Sequence, residues 1–271
     1  MAKATGLNDS CVLTAAGSQV DGWRWAMAWL TAPLLVVSLA MLFLTEPTRK
    51  EMRLSKPSVM ESLRELWSYR SRLVALLVGY LMVETAIGAV LVWSAPTFSR
   101  GYALQSSRIG ALMATALLVS GLVGPLAGGV LGDISQRTGG PRRTTLVLAG
   151  LATIAIPAGI FPILHSAQFA GALLIVFLTI CLAIGVLGLA LFSIVIPNEL
   201  RGLCISLVVA INIMLAIGCA PVLVSMLSAT LGGLSQIGVA LAVTCSTSCV
   251  LAAGCFVLAR PYLPATATGS E

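Results

Sequence analysis

One carboxylate stands where carboxylates are expensive. Glu84 is the only acidic residue deep inside any of the long apolar runs of this chain. In hydrocarbon an ionised side chain costs several kcal/mol unless it is paired, protonated or facing water. Glu84 is therefore a candidate to bind a proton or to hold a cationic part of a substrate. The structural alternative is a protonated glutamic acid that only bonds to a neighbouring helix. Asn212, Tyr80 and Ser120 are further polar groups in apolar runs. They could line the same cavity, Asn212 foremost, although such groups also bond across helices for about 0.6–2 kcal/mol with no ligand present.

A second cluster occupies residues 128–143, which read GGVLGDISQRTGGPRR. Asp133 stands at the end of one apolar run and could face the start of the later helix that begins after Arg201. Unpaired backbone N–H groups and the helix dipole there favour an anion by about 0.3–1 kcal/mol. If that contact forms in only one conformational state, Asp133 is a latch. Glu199, Arg137 and Arg201 could add ion pairs at the same seam. The alternative is that Arg137, Arg142 and Arg143 only set membrane topology.

Other chemistries lack their parts. Cys245 and Cys249 are four apart, with no second cysteine pair, and His165 is the only histidine. A structural zinc site would need more ligands, so these cysteines read as small core residues. A serine or cysteine nucleophile would need a histidine beside it, and no acidic residue accompanies His165. Gly139 and Gly140 lead into Pro141, Arg142 and Arg143, without the lysine and hydroxyl of a phosphate loop. An enzyme is not expected, and no cofactor or metal is implied.

Composition says what must hold these residues. The chain has 271 residues, 58% hydrophobic and only 10% charged, with a mean hydropathy of +1.00. Soluble domains carry about 25% charge, so a water-soluble globule and a disordered chain are both excluded. The net charge is +6. Its basic residues cluster in short joints between apolar runs rather than in an aromatic-rich patch, which argues against nucleic acid. Seven cysteines, an odd number mostly within apolar runs, argue against a disulfide framework.

A spanning helix needs about 20 apolar residues. Seven runs qualify, at about 25–44, 73–93, 109–131, 145–164, 169–196, 203–227 and 237–258. They are apolar on nearly all sides, as lipid-embedded helices are. The fold expected is all-α, a polytopic bundle of about seven spanning helices in a lipid bilayer. The first 22 residues have no signal-peptide pattern. Basic residues crowd the joints at 45–72 and 132–144, which puts the N-terminus outside and the C-terminus in the cytoplasm. Within the first of these joints, Ser58 and Glu61 have capping-box spacing, and Val59, Met60, Leu63, Leu66 and Trp67 share a helical face. A short helix is expected there, either lying in the membrane interface or serving only as a connector with a greasy side.

Four stretches together resemble one family. Gly129 and Asp133, followed by Arg137, Arg142 and Arg143, are similar to the cytoplasmic loop G-x-x-x-D-R-x-G-R-R of major facilitator superfamily transporters. Ile134 replaces the first arginine, and an insertion displaces the others. Gly22-Trp23-Arg24-Trp25-Ala26 with Glu46-Pro47-Thr48-Arg49 resembles the entry to and exit from the sixth family helix. Trp93-Ser94-Ala95-Pro96-Thr97-Phe98, with Arg100 and Gly101, resembles the outer end of the seventh, in the spinster-like branch particularly. Pro197-Asn198-Glu199-Leu200-Arg201-Gly202 is similar to the turn before the eleventh.

The resemblance implies that the seven runs correspond to family helices six to twelve. Residues 1–24 would be an external segment, 25–44 the sixth helix, and 45–72 a cytoplasmic linker with the interfacial helix. Residues 73–260 would be the six-helix second half and 261–271 a cytoplasmic tail. The implied function is secondary transport of a small organic solute by alternating access, possible proton coupling included. Glu84, Asn212 and Tyr80 would serve the cavity, and Gly129, Asp133, Arg137, Glu199 and Arg201 the cytoplasmic gate. The family's cavity lies between two halves, and five family helices have no counterpart in these runs. A half that pairs with a separate N-terminal half, or that regulates a full-length transporter, is the alternative. A seven-helix receptor is a third reading, against which the transporter-like joints count.

Overall fold

In the computed structural model the described residues are Arg24, Met27, Trp29, 31–43 and 59–263. The chain divides into two units, Met1–Lys56 and Pro57–Glu271. In the first unit the apolar helix α1, Thr31–Met41, falls within the run expected at 25–44. The stretches around Gly22 and Glu46, and the capping residue Ser58, include or are residues outside the described ones.

The second unit begins with α2, Val59–Ser68. Leu66 is buried, whereas Met60 and Trp67 are more than half exposed. That leaves a greasy face open on an amphipathic helix with Arg64 in it, as a helix lying on a lipid surface requires.

Next come α3 (Arg70–Gly101), α4 (Ser106–Ala158), α5 (Ala167–Val195), α6 (Asn198–Ile211), α7 (Gly218–Thr230) and α8 (Ile237–Ala259). Between α6 and α7 the helix continues as a π-helical segment, Asn212–Ile217. Five helical stretches in the described residues are long and apolar enough to cross a membrane, with α6, the π segment and α7 forming one of them. The protein is a multi-pass membrane protein of all-α class.

The fourth helix contains two of the expected runs. A straight helix of 53 residues would extend about 80 Å at 1.5 Å per residue, against a hydrocarbon core of about 30 Å. Gly140 breaks it: φ is 63° and ψ −159°, a left-handed conformation that glycine adopts without steric cost. The chain doubles back there. Ser135 and Thr144, nine residues apart, bring their hydroxyls within 2.9 Å, and Gln136 Nε2 donates to Thr144 Oγ1 at 2.8 Å. Arg142 Nε donates to the Leu263 carbonyl at 2.8 Å, tying the bend to the chain beyond α8. Part of this basic joint therefore does structural work.

In lipid, helices associate through close packing rather than through the hydrophobic effect, and small residues permit it. Gly124, Gly128 and Gly132 recur every fourth residue on α4 and meet α5. A Cβ on Gly124 would lie 2.8 Å from the Thr179 carbonyl oxygen, and one on Gly128 2.6 Å from that of Ala183. The glycine run is where α4 packs closely against α5. Cys245 and Cys249 are fully buried in α8, together with Cys181 of α5, in keeping with their expected core role.

Candidate functional site

Tyr80 and Glu84 are four residues apart on α3 and so share one face. Opposite them α5 carries Gly185 and Gly188. A Cβ on Gly188 would sit 3.0 Å from Tyr80 Cδ2, and one on Gly185 would sit 3.2 Å from Glu84 Oε1. Two absent side chains thus make a notch that receives the polar pair. Tyr80 is 3% exposed and stands edge-on to Phe192, with ring centroids 6.0 Å apart at 89°, a favourable aromatic arrangement.

The third component comes from the opening of the π segment. The side chains of Asn212 and Tyr80 both lie close enough to Glu84 to act on its carboxyl group. Glu84 itself is half-buried. Asn212 is 7% exposed, yet its Oδ1 has no hydrogen-bond partner. Ser94 Oγ is also unpartnered, but a serine hydroxyl can rotate towards a carbonyl of its own helix. An amide oxygen only accepts, so Asn212 needs a donor from elsewhere.

The π segment places Asn212 where the sequence could not. Pro221 lacks an N–H, which removes a rung from the helical ladder just beyond it. Gly88 of α3 packs against the same region, where a Cβ would lie 3.1 Å from Ile217 Cα. Trp93 Nε1 donates to the Pro221 carbonyl at 3.0 Å. Such π insertions are frequent at functional sites.

Glu84, Tyr80 and Asn212, separately marked in the sequence, are therefore neighbours. The hydroxyl of Ser120 returns to the Ala116 carbonyl of its own helix at 2.6 Å. Sequence reasoning missed Gly185 and Gly188; the available signal was their three-residue spacing within the apolar run of α5.

The residues expected at the gate lie apart from this site. Asp133 is exposed and, with Gln136 and Thr144, lines a crevice of about 120 Å³ whose far wall is Leu187, Leu191 and other α5 residues. No α6 residue lines that crevice. Gly129 also borders it, and a Cβ there would meet nothing within 4 Å. Arg137 is exposed on α4. Glu199 and Arg201 are exposed in the first turn of α6, where the acidic member complements the helix dipole.

Two further cavities border the helices. One of about 470 Å³ is lined by apolar residues with Thr85, Thr244, Thr247 and Ser248, between α3, the π segment, α7 and α8. Another, of about 670 Å³, lies where Arg100 of α3 meets the start of α8.

Comparison with known proteins agrees with this architecture. Among solved structures, a bacterial homolog to the human lysosomal transporter Spinster, in an inward-facing and unoccupied conformation, matches with a TM-score of 0.55 and 18% sequence identity. The match covers 89% of this chain and 58% of the other, so the chain spans little more than half the length of that protein. At this identity the likeness concerns the fold. No match is found among curated proteins. The family model described as Major Facilitator Superfamily matches residues 11–218, most of the chain. The chain belongs to the major facilitator superfamily.

Proposed function

We propose that this chain is the C-terminal portion of a secondary carrier that moves a small organic solute across a membrane by alternating access, with Glu84 carrying the coupling proton. The observation that carries the reading is the convergence of Glu84, Tyr80 and Asn212 within a bundle of the superfamily. An unneeded carboxylate would be a cost in lipid. A titrating one gives a carrier a means of linking proton movement to a change of helix packing. The N-terminus lies outside and the C-terminus in the cytoplasm, as the basic joints indicate. Asp133, Arg137, Glu199 and Arg201, with Gly129 leaving space beside them, form the cytoplasmic gate. The test is solute uptake by the whole carrier against a pH gradient. Glu84→Gln keeps the shape of the side chain and removes its titration, so uptake should lose its pH dependence; unchanged pH dependence would exclude proton coupling through Glu84.

A second reading is favoured by the 58% coverage of the similar structure. In it, the chain is a half that pairs with a separate first half or regulates another transporter. An antibody to residues 261–271 separates the two on native membranes. A band far above 28.0 kDa supports a twelve-helix carrier, whereas a band near that mass, with a co-purifying membrane protein, supports the paired half.

A further inference from the structure

The unpartnered oxygen of Asn212 lies beside a carboxylate whose own bonding is incomplete. A carboxylate has about four lone-pair sites, more than the Tyr80 and Asn212 side chains beside it could fill. Asn212 stands beside Glu84 with its Oδ1 left without a donor, in a residue that is 7% exposed. The terminal torsion of an asparagine is soft. A donor entering beside Glu84 would let the amide turn its oxygen inward, and the site would then present three acceptors: the carboxylate, Asn212 Oδ1 and the Tyr80 oxygen.

We propose that Glu84, Asn212 and Tyr80 form a binding site for a protonated primary amine, the group by which the carrier recognises its solute. An ammonium offers three N–H donors and one positive charge. That matches three acceptors of which one is anionic. Calcium and magnesium ions take six or more oxygen ligands, and a fully methylated ammonium has the charge but no N–H. Gly185 and Gly188 keep the opposite wall free of side chains next to the carboxylate and the ring. The proposal rests on the reading of Glu84 as a cavity residue and adds the chemical class of the solute.

The test is calorimetric titration of the purified 271-residue chain in detergent with n-butylammonium, n-butyltrimethylammonium and sodium chloride. Saturable binding of n-butylammonium is expected, with the trimethyl analogue at least tenfold weaker and sodium giving no competition. Glu84→Gln and Asn212→Leu should each weaken n-butylammonium at least tenfold. The pair of amines on the unmodified chain decides the matter even if a variant fails to fold. Equal binding of the two amines, displacement by sodium, or no saturable binding overturns the proposal. Because binding is read without transport, failed uptake alongside selective amine binding counts against the carrier reading alone. Uptake of a non-amine solute without amine binding overturns the amine site alone.

Discussion

The ring of Tyr80 lies against the backbone of Gly188: a Cβ on that glycine would be 3.0 Å from Tyr80 Cδ2. Tyr80 cannot swing away easily, since it is 3% exposed and already packed edge-on against Phe192. Alanine at position 188 would favour the helix by up to about 1 kcal/mol on intrinsic propensity. Overpacking of a tight core costs about 1–3 kcal/mol and should win. Gly188→Ala is expected to lower the unfolding midpoint in detergent. Gly150→Ala, with open space around its Cβ, is the control that should raise it or leave it unchanged. A Gly188→Ala protein as stable as the parent would show that the ring has room to move.

Gly128 and Gly129 are adjacent and make opposite predictions. A methyl at 128 would fall 2.6 Å from the Ala183 carbonyl oxygen, whereas one at 129 would meet nothing within 4 Å. A neighbouring backbone cannot yield as a flexible side chain can, so Gly128→Ala should separate α4 from α5 and reduce the yield of folded protein. Gly129→Ala should fold normally. Transport changed by Gly129→Ala without loss of stability would support its place at the gate, and equal stability of both variants would remove the packing account of the glycine run.

How much of this was visible beforehand depends on what each residue signals alone. A carboxylate in an apolar run is conspicuous by its cost, and Asn212 and Tyr80 stand out in the same way. Their proximity was not visible, because it depends on the π segment and on which faces of α3 and α5 meet. Gly185 and Gly188 act through the side chain they lack, and glycine in an apolar helix signals close packing without naming the partner. The joint at 128–143 was legible as a break between two spans. The helical continuation through Arg137, and the hydroxyl contact between Ser135 and Thr144, were not. Both need the chain already folded back at Gly140.

Tyr102, just beyond α3, donates its hydroxyl to the Leu164 carbonyl at 2.5 Å. Burial pushes its ionisation above the ordinary value of 10.0. The folded state therefore holds this proton more tightly than the unfolded chain, and the contribution is intact below pH ~10 and lost as pH rises through the folded value. Tyr102→Phe should cost about 0.5–1.5 kcal/mol at neutral pH through the lost bond. It should also remove part of the alkaline loss of stability, measured as unfolding midpoints from pH 8 to 11. Identical pH profiles for the two proteins would show that this hydroxyl does not contribute.

Asp133 faces a crevice against α5, and the first turn of α6 contributes nothing to the wall of that crevice. In the proposed latch, the carboxylate that is exposed here would meet the α6 N–H groups in a second, closed state. The contact would be worth about 0.3–1 kcal/mol, enough to change the ratio of two nearly balanced states by about two- to fivefold. Asp133→Asn removes the charge and keeps the size. Labelling of single cysteines introduced on each side of the whole carrier should then shift towards the inward-open state by about that factor. The same labelling ratio in both proteins would leave Asp133 without a role as a latch, and the arginines around it as topology and structural charges.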